Sequence, residues 1–125
     1  MKLEEGMYIR TKCNEFCNQV VIRKIVEIDE NDTEHNSFWI DEYIFDTYGE
    51  EQNYLRPNDV ESASFNIIDL IEVGDYVNGY YVEDVLKTFV NVAVGSNYFQ
   101  SPAIYEKDIK SIVTKEQFKN IEENI

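Results

Sequence analysis

The chain has 125 residues, a net charge of −14, 43% hydrophobic residues, and one Trp, nine Tyr and seven Phe. That length holds one domain or two very small ones, and that composition excludes a disordered acidic tail. The charge excludes nucleic acid and anionic membrane as partners for most of the surface.

The first element is expected at Gly6–Thr11, a strand with Met7 and Ile9 on one face and Tyr8 and Arg10 on the other. Before it, Leu3-Glu4-Glu5 sets an acidic pair where a secretory signal needs its apolar core. No apolar run reaches the length of a membrane span, so a soluble, cytoplasmic protein is expected. Lys12–Gln19 is polar, holds Cys13 and Cys17, and reads as a long hairpin loop. Val20–Ile28 is a second strand. Asp29–Ser37, DENDTEHNS, is an acidic loop rich in turn formers. Phe38-Trp39-Ile40 is a third strand. Asp41–Tyr54, DEYIFDTYGEEQNY, fits two forms. Asp41 suits the cap of a short helix ending at Gly49, and the same residues suit a strand turning at Asp46–Gly49. Arg56–Asp59 is a turn, and Val60 starts a closing strand.

Asn66–Ile71 reads as one helical turn with Asn66 as its cap. Asn78-Gly79 between Tyr76-Val77 and Tyr80-Tyr81-Val82 is a strong hairpin signal, because a type I′ turn needs positive φ at both central residues. Val90, Val92 and Val94 alternate as a half-buried strand. Tyr98–Gln100 starts another, and Ser101-Pro102 interrupts it. Ile104-Tyr105 and Ile112-Val113 are short strands around a turn at Asp108-Ile109. Thr114–Gln117 is a capping box, followed by Phe118, Ile121 and Ile125 at helical spacing.

Two halves of this chain match each other. Leu3–Ile9 lies over Ile71–Val77 at an offset of 68, Ile22–Ile25 over Val82–Val85 at 60, and Asp59–Ser62 over Asp108–Ser111 at 49. The shrinking offsets imply longer connections in the first copy. The chain is therefore expected to be mainly β, with one unit over residues 1–65 carrying an acidic insertion. The second unit, over residues 66–125, ends in a short helix. Units this small bury little core alone, which favours a tandem arrangement. A five-strand unit opening on Gly-x-Tyr and closing on a short turn and strand resembles a small SH3-like β-barrel.

The whole chain also resembles uncharacterised phage and prophage proteins of low-GC Gram-positive bacteria. The resemblance is carried by GMYIR at Gly6–Arg10, DEYIFDTYGEE at Asp41–Glu51, NIIDLIEVGDYVNG at Asn66–Gly79 and KDIKSIVTKEQF at Lys107–Phe118. It brings no catalytic motif. What it implies is an accessory protein of a mobile element, in a setting where acidic proteins interfere with host defence. Asn91–Tyr105 departs from the pattern.

The chemistry-bearing residues support little else. Cys13-x-x-x-Cys17 is half a zinc site at most, since a closed site needs four ligands and His35 is the one histidine. Asp29–Glu34 lacks the glycine and the bidentate glutamate of a calcium loop. No nucleophile–base pair can be named, so no enzyme, cofactor or metal is expected.

The remaining feature is the interval between Lys24 and Arg56, with ten carboxylates and no Lys or Arg. Asp29, Glu30, Asp32, Glu34, Asp41, Glu42, Asp46, Glu50 and Glu51 are interleaved there with Trp39, Tyr43, Phe45, Tyr48 and Tyr54. A solvated acidic edge over core aromatics is one reading. The other is a contact surface for a basic protein partner. Alternate strand residues stand about 6.6 Å apart, a spacing that lines up phosphate-like charges, and Tyr and Trp are favoured interface anchors. The candidate partner-binding residues are Asp29, Glu30, Asp32, Glu34, Trp39, Asp41, Glu42, Tyr43, Asp46, Tyr48, Glu50 and Glu51. Asp41, Glu42 and Asp46 are expected to be exposed. The function these features suggest is a non-enzymatic inhibitor of a nucleic-acid-binding defence protein, of anti-CRISPR or anti-restriction type. The alternative is an interaction module without mimicry.

Overall fold

A computed structural model describes residues 2–13, 19–46, 48–93 and 102–117. The chain divides into two compact units, Met1–Phe65 and Asn66–Ile125. Both are antiparallel β-sheets of five strands.

In the first unit the strands are β1 (Tyr8–Thr11), β2 (Ile22–Ile28), β3 (Phe38–Phe45), β4 (Glu51–Leu55) and β5 (Val60–Ser64). Their order across the sheet is β4-β3-β2-β1-β5. Four strands meander, and the fifth returns beside the first after a 3-10 turn at Pro57–Asp59. Proline suits the start of that turn, where no backbone N–H is needed, and the Asp59 carboxylate accepts the Arg56 N–H at 2.9 Å. Ile9, Ile25, Phe38, Ile40, Ile44, Leu55 and Val60 form one core with Val21, by period-two alternation except in β3, where the register shifts between Trp39 and Ile44 and Asp41, Glu42 and Tyr43 are all exposed. A bulge breaks the alternation in β2. Ile25 pairs with Ile40 and Glu27 with Trp39, which leaves Val26 extra and exposed.

The second unit has β6 (Tyr76–Val77), β7 (Tyr80–Val85), β8 (Phe89–Ala93), β9 (Ala103–Tyr105) and β10 (Ile112–Val113), in the order β10-β6-β7-β8-β9. Ile68, Leu70, Ile71, Val77, Val82, Val90 and Val92 are buried. Asn78 and Gly79 have φ of 52° and 85°, as a type I′ turn demands. The Asn78 amide does more than tolerate that geometry. Its nitrogen donates to the Asp108 carbonyl at 2.9 Å, and its oxygen accepts the Lys110 and Ser111 N–H groups at 2.7 and 3.1 Å. One side chain thus fastens the 3-10 turn at Glu106–Asp108 to the hairpin. Asn66 caps the 3-10 turn at Ile67–Leu70. Thr114 and Gln117 exchange two hydrogen bonds, each 3.2 Å, so the capping box forms. The expected helix past Gln117, the expected strand at Tyr98–Gln100, Val94 and Cys17 lie outside the described residues.

The two units have one topology. Read outward from the edge, β4-β3-β2-β1-β5 corresponds to β9-β8-β7-β6-β10. The Gly6 N–H donates to the Ile25 carbonyl at 2.9 Å, and the Gly74 N–H to the Val82 carbonyl at 3.0 Å. Both glycines hold a positive φ, 90° and 99°, at the third position of a turn closed by Met7 to Glu4 and by Asp75 to Glu72. The β2 bulge recurs in β7, between Val82 and Asp84. Ile25 therefore corresponds to Val82, 57 positions on. The expected offset of 60 for this strand is corrected by three residues; those of 68 and 49 stand. Phe38 corresponds to Val90 at 52, and Leu55 to Ile104 at 49.

Of the two forms open to Asp41–Tyr54, the strand turning at Asp46–Gly49 is the one formed: β3 runs on to Phe45 and turns into β4. The expected barrel is corrected: each sheet is open among the described residues, since its edge strands do not pair with each other as a closed barrel requires.

Candidate interaction surface

The acidic interval separates into carboxylates that build loops and carboxylates that face solvent. The β2–β3 loop is built by two aspartates. The Asp29 carboxylate accepts the Asn31 N–H at 3.1 Å and the Tyr54 hydroxyl at 2.6 Å. The Asp32 carboxylate accepts the Ser37 hydroxyl at 2.5 Å, the His35 N–H at 3.1 Å and the Tyr54 hydroxyl at 3.4 Å, with the His35 ring at 3.2 Å. These are Asx-type contacts, in which a short carboxylate takes up N–H groups that a tight loop leaves without strand partners. The Ser37 hydroxyl is the chief cause that holds the Asp32 carboxyl down at about 2; burial opposes it, and the His35 backbone N–H adds to it. The Asp29 carboxylate in turn raises the Tyr54 hydroxyl above the usual tyrosine range.

Asp46 organises the β3–β4 turn in the same way. Its carboxylate accepts the Tyr48 and Glu50 N–H groups at 2.8 and 3.0 Å and the Gln52 side-chain amide at 3.0 Å. Those bonds, the Glu50 N–H first, lower its pKa. The expectation that Asp46 is exposed is corrected. It is 8% exposed, because a carboxylate holding this turn has to lie beneath it.

The other candidates face outward. Glu30, Glu34, Asp41, Glu42, Glu50 and Glu51 are exposed, as are Tyr43 and Tyr48. Tyr48 reaches 85% exposure at the turn. Asp41 is tied to the sheet, accepting the Lys24 N–H at 3.0 Å. Glu42 stands 3.8 Å from the Arg23 guanidinium, which donates to the Ile22 and Tyr43 carbonyls. Trp39 is half-buried on the outer face, its ring 4.9 Å from that of Tyr54. It is neither a core residue nor a free anchor.

Three contributors lay outside the expected set. Phe45 is 46% exposed and shares the outward side of β3 with Tyr43, around buried Ile44. The alternation Tyr-Ile-Phe carried that signal. Glu5 and Glu27 join Asp29, Glu30 and Trp39 around an open cleft of about 380 Å³. Only the fold brings Glu5 there. No group of three or more His, Cys, Asp or Glu among the described residues is placed to hold a metal ion. No helix among them is long and apolar enough to cross a membrane.

Neither family models, nor curated proteins, nor solved structures provide a match to this chain.

Proposed function

We propose that this protein is a non-enzymatic binding protein whose first unit docks on a basic surface of another protein, in the cytoplasm. One observation carries the reading. Of the ten carboxylates between Lys24 and Arg56, seven are exposed (Glu27, Glu30, Glu34, Asp41, Glu42, Glu50 and Glu51), and Tyr43, Phe45 and Tyr48 are exposed among them. Exposed aromatics within a field of one sign offer anchors and steering together. Basic surfaces of this extent are typical of proteins that track a nucleic-acid backbone. The partner class proposed is therefore a nucleic-acid-binding effector, with the acidic surface standing in for phosphates. A phage-type inhibitor of host defence, of anti-CRISPR or anti-restriction type, is the biological form this takes.

The fold reading that accompanies it is a tandem of SH3-like units. It is supported by the four-strand meander, the single 3-10 turn and the return of the last strand beside the first.

The test uses Glu42→Lys, Glu50→Lys and Glu51→Lys together. Asp41 and Asp46 are left alone because their carboxylates hold backbone N–H groups. Binding to the partner recovered from host lysate should weaken as salt rises, weaken roughly tenfold or more with the triple reversal, and be competed by added DNA or RNA. Binding that ignores salt and the reversal but fails with Tyr48→Ala points instead to the interaction module without mimicry, the reading that the 85% exposure of Tyr48 favours.

A further inference from the structure

Asn78-Gly79 is the one Asn-Gly step in the chain. Asparagine is chemically labile, and a following glycine leaves the backbone nitrogen next to it uncrowded. The reaction open to such a step is intramolecular. The Gly79 nitrogen gives up its proton to solvent and bonds to the Asn78 Cγ. The bond from Cγ to Nδ2 breaks, and ammonia leaves with a proton taken back from solvent, which closes a succinimide ring. Water then opens the ring at either carbonyl, giving aspartate or its isoaspartyl isomer. Overall, water is consumed and ammonia released, with nothing oxidised or reduced.

The folded turn opposes the first step by geometry and not by burial. Gly79 is exposed, and a Cβ built on it would meet nothing within 4 Å. What the turn denies is the approach. β6 lies between β10 and β7. The Asn78 side chain is held on the β10 side, donating to the Asp108 carbonyl at 2.9 Å and accepting from the Lys110 and Ser111 N–H groups at 2.7 and 3.1 Å. Its backbone N–H donates to the Ser111 carbonyl at 2.9 Å. The chain leaves through Gly79 toward β7. The φ values of 52° and 85° are those of a type I′ turn, whose first central residue has ψ at about +30°. There the Gly79 nitrogen lies on the far side of Cα from Cβ. Ring closure therefore needs a large rotation about ψ, which breaks the turn and the four hydrogen bonds to residues 108–111 together. The Lys110 and Ser111 donors also polarise the side-chain carbonyl, which by itself favours attack. Position outweighs this, since a polarised carbon that the nucleophile cannot reach does not react.

We propose that Asn78-Gly79 is a deamidation site gated by the hairpin, closed while the Asn78 amide is docked on residues 108–111 and open when the second sheet opens. The two products differ in what they can rebuild. Aspartate keeps the acceptor for both N–H groups and loses the donor to the Asp108 carbonyl. The isoaspartyl isomer routes the backbone through Cγ, which lengthens a two-residue turn and spoils the pairing of Val77 with Tyr80. Opening thus leaves a one-way mark, and the lifetime of the second unit follows from how often the hairpin lets go. The surface proposed to bind a partner is on the first unit, so this inference stands apart from that function.

The full chain, incubated at mildly alkaline pH with and without urea, tests it. Peptide mapping by mass spectrometry follows the loss of Asn78 and the split between aspartate and isoaspartyl products. Opening is fast against deamidation, so the rate should track the open population, and the folded chain should react roughly tenfold or more slowly than the unfolded one. Val82→Ala, at a fully buried position of the second core, should raise the rate in buffer and leave the rate in urea unchanged. Isoaspartyl chains should lose protection of the Val82 amide against hydrogen exchange, and aspartate chains should keep it. Equal rates with and without urea, a faster reaction in the folded chain, as carbonyl polarisation alone would give, or a Val82→Ala chain no faster in buffer would each overturn the gate. An isoaspartyl chain that still protects Val82 would overturn the one-way mark.

Discussion

Asn78 is the residue through which the second unit is most sharply tested. Replacing it with Ala removes three hydrogen bonds, to Asp108, Lys110 and Ser111, at 2.9, 2.7 and 3.1 Å. All three lie near solvent, so each is worth about 0.5 kcal/mol, the low end of the usual range. Alanine must also take the left-handed conformation that Asn78 holds at φ 52°, at a cost of about 1 kcal/mol. The expected loss is therefore about 2.5 kcal/mol. Asn78→Asp keeps the acceptor for both N–H groups and tolerates the left-handed region, so it should cost below about 1 kcal/mol. The assay has to see the second unit alone, and Trp39, the one tryptophan, reports the first. Amide hydrogen exchange answers this. The Val82 N–H, bonded to the Asp75 carbonyl at 2.8 Å, reads opening of the second sheet. The Lys110 and Ser111 amides read the lost acceptor directly. If the Ala variant protects Val82 as well as the Asp variant does, the side chain is not what joins hairpin and turn.

Three further outcomes are expected. Asp32 should titrate by NMR with a midpoint near 2 rather than in the ordinary carboxylate range. Its folded value is depressed, so the stability it contributes is present above the unfolded value of about 4 and is lost as pH falls through the folded value. Ser37→Ala should raise that midpoint, because the Ser37 hydroxyl is its largest cause. Trp39→Ala should cost about 1–2 kcal/mol, below the 3–5 of a fully buried ring, since the indole is half-buried on Tyr54; urea unfolding monitored by tyrosine fluorescence or circular dichroism checks it.

Much of the fold was legible because a few local signals admit one geometry each. Asn78-Gly79 had to be a hairpin turn, Gly6 and Gly74 had to mark the same turn twice, and Thr114–Gln117 had to cap. The strand correspondence slipped for a physical reason. The bulge after Ile25 and Val82 sets Ile28 three residues past Ile25 and Val85 three past Val82, and Ile22 happens to stand three before Ile25. A shift of three residues therefore leaves the pattern matched, and the register is fixed by contacts between strands: the hydrogen bonds to Gly6 and Gly74, the pairing with β1 and β6, and the matching bulges. The acidic surface was legible as a charge run but not in its division of labour. Asp29, Asp32 and Asp46 each precede a tight turn, where a short carboxylate is drawn to backbone N–H groups. That preference was present in the sequence. The count of available N–H groups was not, because it depends on how each loop closes.

The corrected correspondence also explains where the acidic surface resides. Between β1 and β2 the first copy is longer by eleven residues, as the offset falls from 68 to 57. Between β2 and β3 it is longer by five, and between Phe38 and Leu55 by three, as the offset falls to 52 and then 49. From β4 onward nothing is added: the 3-10 turn and β5 keep the offset of 49. Lengthening a surface loop costs little, since closure entropy grows only with the logarithm of length. The β2–β3 insertion falls in the connection that holds Glu30 and Glu34, and a register shift of three residues falls inside β3, between Trp39 and Ile44, where Asp41, Glu42 and Tyr43 are all exposed. The shared strands hold the core in both copies and also carry Glu27, Asp41, Glu42 and Glu51, while Glu30 and Glu34 sit in a connection longer than its counterpart. Shortening the β2–β3 connection to the length of its counterpart should therefore leave the pairing of Ile25 with Ile40 intact. The same change would remove part of the surface proposed to bind, so loss of binding with the sheet retained is the outcome this division of roles requires. Unfolding of the first sheet would show instead that Asp29 and Asp32 are part of what holds it together.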